Sequence, residues 1–276
     1  MNTTRWLYPL MTLLFALTMA GCAAPAKQRL DAQLSARHQL LVLDSRPFPL
    51  LAAVLRSPKA STSLRIYIEG DGHAWITPSQ PSLDPTPTSE WFALLALSDP
   101  HPAAWLARPC QYVRNENCHI GLWTGARFSP EAAAALDQAL DMLKQRYRSE
   151  QLELIGYSGG AALALLLAAR RDDVSAVQSL AGNLSPRLWA AQQRLSPLHG
   201  SLEPLDYRQR LQRLPQRHLV GMQDRNVPAN LAERWQQYLG DSPCIEIEQL
   251  AGLDHYNGWT DAWRARRGMT PSCNSH

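Results

Sequence analysis

Gly156-Tyr157-Ser158-Gly159-Gly160 sets a serine among glycines in the order G-x-S-x-G, and its surroundings give the string its meaning. Leu152 to Ile155, just before it, is an apolar run of strand length. Gly159 to Arg170, just after it, reads as a helix that is apolar on nearly every side. A strand that turns sharply into a helix through a serine leaves the hydroxyl exposed at the C-terminal edge of a sheet, where it can attack a carbonyl. Glycine at 156 and 160 removes side chains that would collide in so tight a turn. Ser158 is the candidate nucleophile. A helix-capping serine in a dinucleotide-binding fold is the competing reading, and no G-x-G-x-x-G follows an early strand to support it.

The elements that must position this serine can be read from the rest of the chain. Its 276 residues are 45% hydrophobic and 18% charged, which suits a sizeable core and excludes intrinsic disorder. Lys+Arg 27 against Asp+Glu 24 leaves +3 without a basic run, so nucleic acid is not an expected partner. Repeats and metal-spaced Cys/His clusters are absent, and neither a cofactor nor a metal is expected. Short apolar runs predict strands at Leu40 to Asp44, Leu50 to Leu55, Leu64 to Ile68, Gln111 to Val113, Val174 to Leu180, His218 to Met222 and Ile245 to Leu250. Helices are expected over Glu90 to Leu97 with Thr88 or Ser89 as cap, from Pro130 to about Arg148 behind a Ser129 cap, and over Pro228 to Leu239 and Trp259 to Arg267. The stretch holding Pro78, Pro81, Pro85 and Pro87 must be loop. Strands alternating with helices imply an α/β domain whose mostly parallel central sheet is covered by helices on both faces.

With strand, G-x-S-x-G and buried helix in this order, the chain resembles an α/β-hydrolase, specifically a compact bacterial lipoprotein-type serine hydrolase, over most of its mature length. The resemblance implies the chain order Ser, then Asp or Glu, then His. Asp224, in the loop between the strand ending at Met222 and Pro228, matches the acid position; Asp206 and Asp241 are the rivals. Only His255 and His276 lie beyond it, and His255 sits between the last strand and the last helix, where the fold places its base. The implied oxyanion donors are the N–H of Gly159 and that of Asp71 or Gly72, in a Glu69-Gly70-Asp71-Gly72 loop that resembles the family's His-Gly motif with Glu69 in place of histidine. His73 and Trp75 either line the pocket or pack under the Pro-rich loop. The expected reaction is cleavage of a small-molecule carboxylic ester or thioester through an acyl-enzyme, although amide cleavage uses the same constellation. The segment from Asn183 to Arg213 allows a small cap at most. The alternative is a catalytically silent envelope lipoprotein that uses the fold as a binding module.

Arg5 followed by an apolar stretch from Trp6 to Ala20 has the layout of a secretory signal. Its end, Met19-Ala20-Gly21-Cys22, resembles a bacterial lipobox, which implies a signal peptide over 1–21, lipid on Cys22, a tether over 22–39 and the hydrolase domain over 40–276. The membrane is then a partner through the lipidated N-terminus, and Ala23 after the cysteine favours the periplasmic face of the outer membrane. With Cys22 carrying lipid, four of the five cysteines remain, and in an oxidising compartment they are expected to form two disulfides. Counting leaves three pairings open; nearest neighbours give Cys110 with Cys118 and Cys244 with Cys273.

Overall fold

The computed structural model describes residues 25–273, so Cys22, the signal segment and His276 lie outside the described residues. The strands in chain order are β1 (His38–Leu43), β2 (Leu50–Leu55), β3 (Ser63–Ile68), β4 (Trp75–Thr77), β5 (Gln80–Pro81), β6 (Ala103–Leu106), β7 (Gln151–Tyr157), β8 (Val174–Leu180), β9 (Gln216–Gly221) and β10 (Ile245–Leu250). The α-helices are α1 (Ala26–Ala32), α2 (Trp91–Leu97), α3 (Pro130–Tyr147), α4 (Gly159–Ala168), α5 (Pro186–Gln192), α6 (Arg208–Leu211), α7 (Asn230–Leu239) and α8 (Trp259–Arg266). None of the described helices is long and apolar enough to cross a membrane.

Apart from the β4–β5 hairpin, the strands form one sheet in the order β1-β2-β6-β3-β7-β8-β9-β10. Only β2 runs against its neighbours; the pairs β6–β3, β3–β7, β7–β8, β8–β9 and β9–β10 are all parallel. Parallel neighbours need crossovers, and the crossing helices bury both faces of the sheet. The two-residue period of β3 shows how the faces divide. Ile66 and Ile68 pack with Leu136 and Leu140 of α3, Leu163 of α4 and Trp235 of α7. Tyr67 packs on the other side with Leu30 of α1, Phe92 of α2, and Trp259 and Trp263 of α8. The mostly parallel, doubly covered sheet is the architecture the alternation implies.

Local signals act where expected in α3, which starts with Ser129 Oγ accepting from the Ala132 N–H at 3.2 Å and ends at Arg148 in the left-handed region, φ 48°. All ten residues of α4 are buried, which explains a sequence apolar on every side. Both disulfides are those of the nearest-neighbour pairing, Cys110–Cys118 and Cys244–Cys273.

Three expectations fail and one strand is unexpected, each for a physical reason. Gln111 to Val113 is not a strand, because Cys110 and Tyr112 have φ of 68° and 62°, and left-handed residues on both sides of Gln111 cannot propagate extended pairing. The strand in this part of the sheet is β6, whose Ala103-Ala104-Trp105-Leu106 is short and alanine-rich and therefore weak by propensity, yet is buried throughout. The segment expected to be tether contains α1, whose Leu30 is fully buried in the face formed with Trp105 and Trp263. Neither Thr88 nor Ser89 caps α2, which starts after Glu90 without a side-chain cap.

Candidate active site

The buried strand β7 ends at Tyr157 and α4 begins at Gly159, so Ser158 alone makes the turn, at φ 51° and ψ −123°. A non-glycine residue is rarely held there, and the strain persists because the surroundings fix it. The Ser158 N–H donates to the Leu180 carbonyl at 3.1 Å, and its own carbonyl accepts from Asn183 at 2.9 Å and Ala161 at 3.1 Å. A Cβ at Gly156 would run into the Ala161 backbone, and one at Gly160 into the Ile68 carbonyl, so both positions admit only glycine.

His255 comes to this serine from the loop between β10 and α8. Its Nε2 lies 3.0 Å from Ser158 Oγ, and its Nδ1 lies 2.7 Å from Asp224 Oδ2. A carboxylate oxygen accepts, so Nδ1 carries the proton and Nε2 presents its lone pair to the serine hydroxyl. Asp224, after β9, is buried, and its Oδ1 accepts from the N–H groups of Asn226 and Val227, both at 2.8 Å, which fixes the carboxylate plane. The Tyr157 hydroxyl donates to the His255 carbonyl at 2.8 Å, tying the histidine loop to the strand that carries the serine. The structure therefore brings Ser158, Asp224 and His255 into one hydrogen-bonded chain. Of the rival acids, Asp206 pairs with Arg187 at 3.3 Å on the surface.

The Glu69–Gly72 loop faces the serine from the end of β3. A Cβ built on Gly70 would lie 3.3 Å from Ser158 Cβ, so the loop backbone passes directly over the nucleophile. Gly72 has φ 63°, and a side chain there would run into the Pro85 carbonyl. The Gly70 N–H is taken by Glu69 Oε1 at 2.8 Å, whereas those of Gly159 and Asp71 meet no acceptor among the described residues. A hydroxyl, an imidazole and two free N–H groups converging on one point are what acyl transfer requires.

Buried polar groups that no motif or periodicity marks hold this loop. Asp71 is paired with Arg108 and, at 2.7 Å, with Nη1 of Arg127. Burial alone would raise the Asp71 carboxyl, but the charges of Arg127 and Arg108 outweigh it and hold it down at about 2. Glu69 is buried and receives Trp105 Nε1–H at 2.9 Å; burial pushes its carboxyl up to about 7 against that bond, the Gly70 N–H and the Arg108 charge. Gln111 donates to the Gly70 carbonyl at 3.0 Å and accepts the Arg108 N–H at 3.0 Å. Trp105, Arg108 and Arg127 lie outside every element and motif the sequence marks, and Gln111 lies in a stretch that reads as strand, so neither periodicity nor motif marks any of the four as functional.

Above the serine is a cavity of about 910 Å³. One wall is the Pro-rich loop with Trp75, Ile76 and Pro78, and the opposite wall is α5 and the residues after it, including Trp189 and Leu195. This short segment is the expected small cap. Trp75 lines the cavity and His73 does not.

No family model matches the sequence, and no curated protein matches it. Solved structures do. An esterase of Pyrococcus furiosus superposes with a TM-score of 0.60 at 13% identity, covering 84% of this chain and 88% of its own. An alpha-beta serine hydrolase homologue from Coxiella burnetii gives 0.56 at 14%, covering 82% and 94%. A puromycin-hydrolyzing peptidase of Mycobacterium tuberculosis gives 0.56 at 16%, covering 79% of this chain and 36% of the peptidase. At these identities the likeness is one of fold, and the fold is that of the α/β-hydrolases.

Proposed function

We propose that this protein is a serine hydrolase that cleaves a carboxylic ester or thioester through an acyl-enzyme. The observation that carries the reading is the chain Asp224–His255–Ser158, at 2.7 and 3.0 Å, ending on a serine held in a strained turn at the floor of a cavity. Ser158 Oγ attacks the acyl carbonyl as its proton passes to His255 Nε2, and Asp224 steadies the imidazolium. The oxyanion accepts the N–H groups of Gly159 and Asp71; Asp71 is preferred to Gly72 because it directly follows Gly70, the residue lying over Ser158. The C–O or C–S bond then breaks, and the leaving group takes the proton from His255. Water, deprotonated by the same imidazole, attacks the acyl-enzyme; the bond from the acyl carbon to Ser158 Oγ breaks, Oγ takes the proton back from His255, and the acid leaves.

The fold carries both an esterase and a peptidase among the structures it resembles, so the ester preference rests on the sequence resemblance alone. Labelling of the purified protein by a fluorophosphonate, with hydrolysis of p-nitrophenyl butyrate, tests the reading. Wild type should label and turn over, and Ser158→Ala should lose labelling and roughly 10⁴-fold or more in kcat. Folded wild-type protein that does neither leaves the silent binding module in its place.

The proposal includes the anchor. Lipid on Cys22 would attach the enzyme to the periplasmic face of the outer membrane, only a few residues ahead of α1. Cys22→Ser should move active protein from the membrane fraction to the soluble fraction, and mature protein lacking acyl mass at Cys22 would remove the anchor from the account.

A further inference from the structure

Charge on the cavity wall is out of balance. Asp71 is the single carboxylate shared by Arg108 and Arg127, whose side chains are both only 5% exposed. Glu69 is the remaining acid that acts on Arg108, and burial keeps it only partly ionised near neutrality. Apart from His255, the other charged side chain lining the cavity is Arg225, which is exposed. Arg108 lies behind the wall, so on the wall itself Arg127 and Arg225 face Asp71 and an only partly ionised Glu69, a balance that leans positive. A buried cation without a full counter-charge is costly, and a substrate anion can supply one.

Within this cluster Arg127 is the group placed to receive it. Its Nε donates to the Thr124 carbonyl and its Nη1 to Asp71, both at 2.7 Å, while Nη2 meets no acceptor among the described residues. Arg127 lines the cavity and is 4% exposed, so the little surface it has opens there. Trp189 lies against the guanidinium with its ring centre 5.6 Å away, and Trp189 is itself fixed by a 2.7 Å bond from Nε1 to the Asn226 carbonyl. The result is a planar cation, oriented in advance and stacked, with a free donor toward substrate, which is a carboxylate-binding arrangement. Its partner Asp71 also abuts Gly159, the residue after Ser158, which puts the Arg127–Asp71 pair beside the nucleophile in the same cavity.

We propose that the cavity selects esters whose acyl chain ends in a second, ionised carboxylate, that is, half-esters of short dicarboxylic acids, with Arg127 binding that carboxylate and Arg225 drawing it to the mouth. This rests on the hydrolase reading and adds the substrate class. The bond broken is the same ester C–O; water supplies the oxygen, and the products are the dicarboxylate and an alcohol.

The test compares p-nitrophenyl monoglutarate with the same ester methylated on its free carboxylate. The charged ester should show kcat/KM about tenfold higher or more, equivalent to at least about 1.4 kcal/mol. In Arg127→Gln that ratio should fall toward one, with partial recovery in Arg127→Lys, and exposed Arg225→Gln should lower it by a smaller factor. Equal rates, or a preference for the methylated ester, overturn the inference and leave the hydrolase reading standing. Failure to cleave either ester while p-nitrophenyl butyrate is hydrolysed also overturns the inference, whereas failure on all three with no fluorophosphonate labelling sinks the hydrolase reading instead. The subsite is then read by melting temperature, which should rise with millimolar glutarate and not with glutaramide, and an identical response to both overturns it. Should Arg127→Gln not fold, the wild-type comparison and Arg225→Gln decide the outcome.

Discussion

The two banks of the cavity are built on different physics. On the nucleophile bank, β7, Ser158 and α4 are contiguous in sequence, and the bank is held by close backbone packing in which Gly156 and Gly160 leave room for Ala161 and Ile68. On the facing bank, the loop after β3 is held by side chains brought from afar: Trp105 to Glu69, Arg108 and Arg127 to Asp71, and Gln111 to Gly70. The Cys110–Cys118 bridge closes the turn that delivers Gln111. Shape holds the first bank and buried charge the second. It follows that the first should respond to the size of a substituted group, and the second to charge and to pH.

Asp71→Asn and Ser158→Ala sharpen this contrast most. Asparagine at 71 leaves two buried guanidiniums facing each other without a carboxylate, and breaking a buried ion pair from one side costs about 3–5 kcal/mol. Stability should fall by that order, with kcat falling as the Asp71 N–H loses its fixed direction. Ser158→Ala removes a hydroxyl from a surface open to the cavity and should change stability by less than about 1 kcal/mol while abolishing turnover. Chemical denaturation of the two variants checks this. Equal losses would mean that the banks are not held by different forces.

The same contrast explains what could be read in the sequence. G-x-S-x-G was legible because its requirements are local: an apolar strand, small residues and a buried helix must adjoin one another. Asp224 and His255 were legible because the fold orders them along the chain and leaves few candidates beyond β9. Chain order says nothing of which cations surround Asp71, since Arg108 and Arg127 stand 37 and 56 residues from it and carry no periodic signal. β6 carries no sequence signal because Ala103 to Leu106 owes its strand conformation to neighbours β2 and β3 rather than to its own propensity. Gln111 to Val113 reads as strand instead, but the left-handed turn there is fixed by a disulfide and by side-chain bonds formed only after folding. α1 is equally silent, since its lone buried residue, Leu30, makes no amphipathic pattern.

Glu69 provides the finer test of the charged bank. Burial raises its carboxyl from 4.5 to about 7 in the folded protein. Between those values the folded state holds a proton that the unfolded chain has lost, so the contribution is complete below pH 4.5 and declines as pH rises through 7. His218, buried and lowered by burial to about 3, acts with the opposite sign: its stabilising effect is lost as pH falls below 6.5. Wild type alone would therefore mix the two, and the difference between wild type and Glu69→Gln isolates the carboxyl. Glutamine cannot ionise, and its single side-chain oxygen accepts from only one of the Gly70 N–H and Trp105 Nε1–H, a loss that is the same at every pH and drops out of the pH trend. From pH 5 to pH 8 wild type should lose roughly 2 kcal/mol relative to Glu69→Gln, read from denaturation midpoints across the range. A difference that stays flat with pH would mean that Glu69 ionises as it does in water, and the facing bank would then be held by the Asp71 pairs without a titrating partner.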